Sequence, residues 1–517
     1  MGELDVPGAA MIDRARSAVV IWLALVALST MAHVGSPDTF FVGDAGPYPV
    51  RVSVRLPGVI PGRAQVSVRI TDDAAARAVQ HVTVRAGQWN VGIDGAPPPE
   101  AAVSVPGDPA IYAAELWFMT PTSYQLFVNV DGAHGAGTAV VPVLALATEQ
   151  RGMSRSLGLI LAALGVFLSV GMLTIVGSGV RESVLKPGVV PDAQRRRRAR
   201  MAVGATAIVV AVMLWGGSRW WTAEAESYRN TVLYRPFDSR AAVRDDAGRR
   251  VLTLEIHDRR WTGTPLPAVR YNALMPDHGK LMHLFLVREP GLDAFAHLHP
   301  VAHTPAGLAF DADVPPLPQG RYRVYGDIVH ESGYAQTLVA SVDVAPATSH
   351  AGRGHDDSPR ADPDDSWFVG DGAPEASSSR FTYADGPTIV WRRGAGPIVE
   401  KEERLLTFSA QDASGSPVPI EPYMGMLGHV AVAHEDGSIF AHLHPAGSIS
   451  MAALQKFAAK AHDIAAGDHA AHITPAPGDL SIPYAFPKAG RYRIWVQMKH
   501  DGRVMTAAFD ADVRPAT

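Results

Sequence analysis

Six residues, Phe295-Ala296-His297-Leu298-His299-Pro300, recur letter for letter as Phe440-Ala441-His442-Leu443-His444-Pro445. Further words follow in the same order. Gly320-Arg321-Tyr322-Arg323 returns as Gly490-Arg491-Tyr492-Arg493, and Leu252-Thr253 ahead of Asp258 matches Leu406-Thr407 ahead of Asp412. His283 answers to His429, and His330 to His500. Ordered words of this kind mean two copies of one domain, here roughly 230–345 and 378–513. The segment between them, 346–377, includes Ala347 to Asp365, rich in Ser, Asp, Gly and Pro, and reads as a flexible linker. The second copy carries an insertion after Pro445. Met451, Leu454 and Phe457 have helical spacing there, which suggests a surface helix, with a lid over a site as the sharper alternative.

Three apolar runs fix the topology. The first, Ala18 to Thr30, follows Arg14 and Arg16 and ends in small residues before Ala32, so 1–32 reads as a signal peptide or anchor helix. The second and third run from Leu157 to Gly177 and from Met201 to Ser218, without charge and long enough to cross ~30 Å of hydrocarbon. Transmembrane helices are expected over 155–179 and 201–218. The basic stretch between them, 180–200 with Arg195 to Arg198 and Arg200, is expected as a cytoplasmic loop. Everything else then faces outward. Neither span holds an ionisable residue, which suits anchors better than a pump.

Residues 33–150 alternate with period two, as in Val50, Val52 and Val54 against Arg51, Ser53 and Arg55, with Pro-Gly turns between the runs. The fold class expected is mainly β: three Ig-like or cupredoxin-like antiparallel β-sandwich domains, two transmembrane helices and the N-terminal signal or anchor helix. A net charge of -5 argues against nucleic acid as a partner. The absence of cysteine removes disulfides, thiolate metal sites, blue-copper centres and cysteine nucleophiles.

Histidine is concentrated in the two repeats, and its placement is specific. Glu435-Asp436-Gly437-Ser438 reads as a two-residue hairpin with a type I′ turn. Pairing Glu435 with Ser438 sets Ala433 opposite Phe440, Ala431 opposite His442 and His429 opposite His444. All three imidazoles then project from one face, within reach of a common ion. His434 has the opposite parity. The first copy has a longer turn, Glu289 to Asp293, and the same logic gathers His283, His297 and His299. Three neutral imidazoles suit Cu(II) or Zn(II), and thioethers nearby (Met275, Met282, Met424, Met426) tilt the choice toward copper, with zinc the alternative. Of these, Met282 and Met426 are candidate ligands. His330 and His500 begin a further hairpin in each copy and are candidate additional ligands. The bland alternative is a strand-end histidine bonded to nearby backbone. Cleavage after Ala32 would expose His33 as a bidentate copper brace, partnered by His81 or His134.

At Ala32-His33-Val34-Gly35-Ser36-Pro37-Asp38 and Gly46-Pro47-Tyr48, the first exported domain resembles FixH/YtkA-like β domains of bacterial membrane proteins, and its His33 is similar to that of CopC-like copper-resistance sandwiches. The repeats, through Met282-His283 and the His-Leu-His-Pro words, resemble exported bacterial proteins found with copper functions. The resemblance implies a sandwich fold and a metal-related role; with the spans and the basic loop, the expected location is the bacterial cytoplasmic (inner) membrane, with the bulk of the chain facing the periplasm or exterior. Together these give a membrane-anchored copper-handling protein, acting in resistance, buffering or cuproenzyme assembly. The lipid bilayer and a membrane protein complex or cuproenzyme are the expected partners. An interaction subunit with structural histidines is the second reading. A metal-dependent enzyme is the third, ranked last because no nucleophile elbow, His-Glu-x-x-His or paired-carboxylate word occurs.

Overall fold

The computed structural model describes residues 38–516 apart from 187, 247, 259–272, 304–307, 347–361, 371–377, 385 and 463–478. The signal or anchor segment 1–32 and the His33 brace therefore lie outside the described residues. The chain is mainly β, arranged in several sheets, with two long apolar helices between them.

The first unit contains β1 (Thr39–Ala45), β2 (Tyr48–Arg55), β3 (Gly62–Ile70), α1 (Asp73–Ala78), β4 (Val79–Gln88), β5 (Glu100–Val105), β6 (Asp108–Phe118), β7 (Thr122–Gly132) and β8 (Gly135–Ala145). Its strands form one sheet in the order β1-β2-β3-β6-β5-β4-β7-β8, whose two ends come back against each other in a near-barrel. Closure depends on backbone approach. A Cβ on Gly137 would lie 2.1 Å from the carbonyl oxygen of Ala45, so only glycine fits that point of β8. The alternating valines Val50, Val52, Val54, Val66 and Val68 fill the interior, as the period-two pattern requires.

Two helices follow, α2 (Arg155–Glu182) and α3 (Ala193–Thr231), both long and apolar enough to cross a membrane. The basic run is not a loop. The Asp192 carboxylate accepts from the backbone N–H of Arg195 at 2.7 Å and starts α3 there, so Arg195 to Arg200 occupy its first turns and the connection shrinks to about Ser183–Asp192. At 39 residues α3 is ~58 Å long, well beyond a bilayer core. Its far end is pinned: Leu233 pairs with Ala147, and the N–H of Tyr234 donates to the Ala147 carbonyl at 2.7 Å. The helical hairpin thus leaves and re-enters at one place beside the first unit.

The first repeat is built from β9 (Ser239–Asp246), β10 (Arg249–Ile256), β11 (His283–Glu289), β12 (Ala294–Leu298), β13 (Val301–Ala302), β14 (Ala309–Asp313), β15 (Gly320–Val329) and β16 (Ala335–Val344). One sheet runs β13-β14-β10-β9. The other runs β16-β15-β11-β12-β17, where β17 (Ser366–Val369) comes from the expected linker. The linker reading fails at this point: Ser366-Trp367-Phe368-Val369 pairs with β12 along its edge, burying Ser366 and Phe368 and leaving Trp367 and Val369 exposed, as strand alternation requires.

The second repeat holds β18 (Arg380–Thr382), β19 (Thr388–Arg392), β20 (Ile398–Val399), β21 (Glu403–Gln411), β22 (His429–His434), β23 (Phe440–Leu443), α4 (Met451–His462), β24 (Asp479–Ala485), β25 (Gly490–His500) and β26 (Arg503–Arg514). Its sheets run β18-β19-β21-β24 and β20-β26-β25-β22-β23. In each repeat an apolar core lies between the two sheets, Leu284 and Leu286 entering one, Val430 and Val432 the other.

The five-stranded sheets then pack on each other through their outer faces. Phe295 stacks on Trp495 (centroids 4.6 Å, 13°), and its counterpart Phe440 stacks on Tyr325 (4.1 Å, 8°). Tyr325 and Trp495 are themselves counterparts in the two copies. This reciprocity is that of a two-fold, isologous interface made within one chain. The insertion helix α4 is not a surface helix. Ala452, Ala453 and Phe457 are buried, with Phe457 against Phe127 and Val140 of the first unit.

Candidate metal centre

The hairpin register follows the sequence reading. Ala431 lies opposite His442 and Ala433 opposite Phe440, and the ladder ends with the His434 N–H donating to the Ile439 carbonyl at 3.0 Å. The turn type differs. Gly437 donates back to His434 at 2.8 Å and alone takes a positive φ (67°), whereas type I′ needs two such residues. Asp436 instead spends its carboxylate on the Ser438 N–H at 2.8 Å and on His434 Nδ1 at 2.6 Å. That also keeps His434 off the histidine face.

The three rings of the second copy converge: His429–His442 5.3 Å, His429–His444 5.1 Å and His442–His444 4.4 Å between centroids. The first copy repeats this with His283–His297 5.3 Å, His283–His299 5.1 Å and His297–His299 4.7 Å. Because β11 and β22 turn these residues outward and the outer faces meet, the two triads merge. His283 lies 5.2 Å from His442, and His297 5.5 Å from it.

A seventh ring completes the cluster. His278, in the turn Asp277-His278-Gly279-Lys280 that precedes β11, lies 5.3 Å from both His429 and His444. In the second copy the matching turn is Tyr423-Met424-Gly425-Met426, so duplication has left His at one position and Met at the other. The His-Gly word was readable as a turn; its aim across the interface was not. Ligand atoms of His278, His429 and His444, and separately of His283, His297 and His299, lie within 4.8 Å of one another. A third such group joins His299 to Asp362 and Asp365 from the segment leading into β17.

Outer hydrogen bonds orient several rings. Asp365 accepts from His299 Nδ1 at 3.0 Å and from its backbone N–H at 2.8 Å. His444 Nδ1 pairs with the Ile449 carbonyl at 3.0 Å, His297 Nδ1 with Gln497 Oε1 at 2.9 Å, and His442 Nδ1 faces Asp327 Oδ2 at 3.3 Å. Asp327 and Gln497 are counterparts, each reaching across to the other repeat. His283 Nδ1 lies 3.1 Å from His297 Nε2. What remains is notable chemically. Nε2 of His278, His299, His442 and His444, and both ring nitrogens of His429, are buried without a hydrogen-bond partner among the described residues.

Burial also sets the charge. It holds His283, His297, His429 and His442 well below the usual imidazole range, with neighbouring rings adding to the effect. His444 is lowered to about 4, chiefly by burial. These imidazoles are neutral at pH 7, the form that binds metal. Burial pushes Asp327 up to about 6, opposed by the Thr337 hydroxyl that donates to it at 2.5 Å.

The remaining expected ligands lie elsewhere. Met282 is fully buried in the core of the first repeat, because adjacent residues on a strand face opposite ways. Met426 closes the Tyr423 turn, and no described contact brings it to the rings. His330 packs edge-on against Phe237 and Tyr334. His500 bonds the Pro419 carbonyl at 2.8 Å beside a true two-residue turn, Asp501-Gly502, in which both residues have positive φ.

A family profile described as "Domain of unknown function (DUF8832)" matches residues 249–346 and 382–515, the two repeats. No curated protein matches the chain. Among solved structures it is similar to dimeric latent PorU from Porphyromonas gingivalis at 9% identity, TM-score 0.14, over 93% of this chain and 34% of that one. It is likewise similar to Salmonella alpha-2-macroglobulin reacted with methylamine, at 9% identity, TM-score 0.18, over 94% of this chain and 24% of that one. The chain thus spans about a third of the length of the first of these proteins and about a quarter of the second.

Proposed function

We propose that this is a membrane-anchored extracytoplasmic protein that binds copper ions in the seven-histidine cluster between its repeats, with zinc as the alternative metal. One observation carries the reading: six buried imidazole nitrogens on five convergent histidines lack a hydrogen-bond partner among the described residues. Leaving each desolvated costs about 1–3 kcal/mol, which a purely structural role does not recover. A bound ion would recover it. His278, His429 and His444 would hold one ion, and His283, His297 and His299 would hold a second, with Asp365, Asp327 and Gln497 orienting the rings as outer hydrogen-bond partners commonly do. An all-nitrogen donor set favours Cu(II), then Zn(II), over the Cu(I) that thioether ligands would have selected.

The near-barrel first unit and the two sandwich-like repeats read as lying on one side of a bacterial cytoplasmic membrane. The pairing of Leu233 with Ala147 supports this, since it returns the chain to its point of departure after two spans. The arginines in the first turns of α3 support a cytoplasmic position for the hairpin bend. The role would be copper buffering, resistance or delivery to a cuproenzyme.

The test is metal uptake by the full chain, solubilised in detergent and carrying no histidine tag. Wild type is expected to retain Cu(II) in stoichiometric amounts, and His429→Ala/His444→Ala to bind it at least 100-fold more weakly. Stripped wild-type protein that takes up neither Cu(II) nor Zn(II) at micromolar concentration would sink the proposal.

A further inference from the structure

Most approaches to the histidine cluster are closed. The stacks of Phe295 on Trp495 and Phe440 on Tyr325 cover one side, and the segment from Asp362 into β17 covers another. A cavity of ≈ 500 Å³ opens where the first unit, the first repeat and the insertion of the second repeat meet, and its wall includes His442 and His444. Asp277 and Asp327 line it beside them, and Asp38 and Glu149 of the first unit line it too, against the two cations Arg55 and Lys401. Four carboxylates to two cations favours a cation within. Two uncharged groups point the same way: Ser123 and Gln336 line the cavity, are almost fully buried, and have side-chain polar atoms without a described partner. A cation with six waters needs roughly 200 Å³ at ~30 Å³ per water, so the space admits it with its hydration shell. The Ser123 hydroxyl and the Gln336 Oε1 suit such a shell, accepting from its waters.

We infer that this cavity is the port through which a hydrated divalent cation enters and leaves the histidine cluster, with the first β unit as part of its wall. The inference rests on the metal reading above. It gives the first unit a task that its own side chains do not reveal, namely control of the exchange rate. The joints are in place. Phe40 and Ser448 exchange hydrogen bonds, the Ser448 N–H donating to the Phe40 carbonyl and the Phe40 N–H to the Ser448 hydroxyl, both at 3.0 Å. Asp277 accepts from the Ala452 N–H at 2.7 Å, tying the start of α4 to the turn that carries His278. Movement of the first unit relative to the insertion would therefore widen or narrow the path.

The experiment is stopped-flow uptake of Zn(II) by the metal-stripped full chain in detergent at low salt, followed by loss of zinc from a chromophoric indicator. Two variants are compared with wild type: Ala335→Trp, which fills the cavity, and Asp38→Asn/Glu149→Gln, which removes charge from the first unit's side. Uptake is expected to slow at least tenfold in the first and three- to tenfold in the second, with the final zinc stoichiometry unchanged. Wild-type uptake rates in the charge variant, or in a folded Ala335→Trp, overturn the port. Should Ala335→Trp fail to fold, the charge variant decides alone. A wild type that takes up neither Zn(II) nor Cu(II) refutes the metal reading instead, so the two failures are distinct.

Discussion

Removing metal and lowering the pH from 7.5 to 5 should destabilise the paired repeats in proportion to the imidazoles they bury. An unfolded histidine titrates near 6.5. Folded, burial holds His283, His297, His429 and His442 well below that, and His444 to about 4. The native state therefore excludes protons that the unfolded chain accepts. Stability is complete above pH 6.5 and declines as the pH falls toward the folded values. At pH 5 an unfolded ring is almost wholly charged while His444 in the fold is almost wholly neutral, a difference of about 2 kcal/mol. Five such rings set a ceiling of about 10 kcal/mol, comparable to the entire stability of many domains. Two carboxyls facing the cluster lower it: burial raises Asp327 to about 6, so the fold takes up a proton there before the unfolded chain would, and Asp277 beside His278 favours a proton on that ring. Thermal unfolding of the stripped full chain in detergent, followed by tryptophan fluorescence, reads this directly because Trp495 is stacked in the interface. At about 2–4 °C per kcal/mol, half of the ceiling already lowers the midpoint by about 10 °C or more. His429→Gln/His444→Gln should recover roughly 4 kcal/mol of the loss. A midpoint that stays level between pH 7.5 and 5 would show that the rings are not buried neutral, and the argument would fall.

Three other perturbations test separate joints. Asp510→Ala leaves the fully buried Arg493 guanidinium without the carboxylate 2.6 Å away, and should cost about 3–5 kcal/mol in denaturant unfolding. Phe440→Ala and Phe295→Ala each remove one of the two reciprocal stacks; each should cost about 3–5 kcal/mol, and similar losses would confirm that the interface is two-fold. Asp277→Ala deprives the Ala452 N–H of its acceptor, which should cost about 1 kcal/mol and speed amide hydrogen exchange at the start of α4.

Much of this was legible in the chain itself. Duplicated words gave two homologous domains, and period-two valines gave the first β unit. Two uncharged runs gave the long helices, and hairpin register gave the same-face triads. These are local consequences: strand parity and cross-strand pairing depend on residues close in sequence or joined by a tight turn. One further signal was present and is plain in retrospect. His283 to Val287 and His429 to Ala433 are apolar on both parities and buried on both faces, as a strand covered on each side must be. A single domain has one core, so the second face needed a partner, and the other repeat was the natural candidate.

Tertiary structure decided the rest, because it concerns which distant surfaces touch. No local rule brings His278 of one copy against His429 and His444 of the other, or makes Asp327 and Gln497 reach across the same interface in opposite directions. Nor does composition reveal that a tetrapeptide from a polar connector completes a sheet, or that α4 wedges between the first unit and the first repeat. Sequence placed three imidazoles on each of two ribbons. Docking the ribbons face to face turned six surface histidines and a seventh from a turn into one buried cluster, because packing apolar outer faces removes water from everything between them.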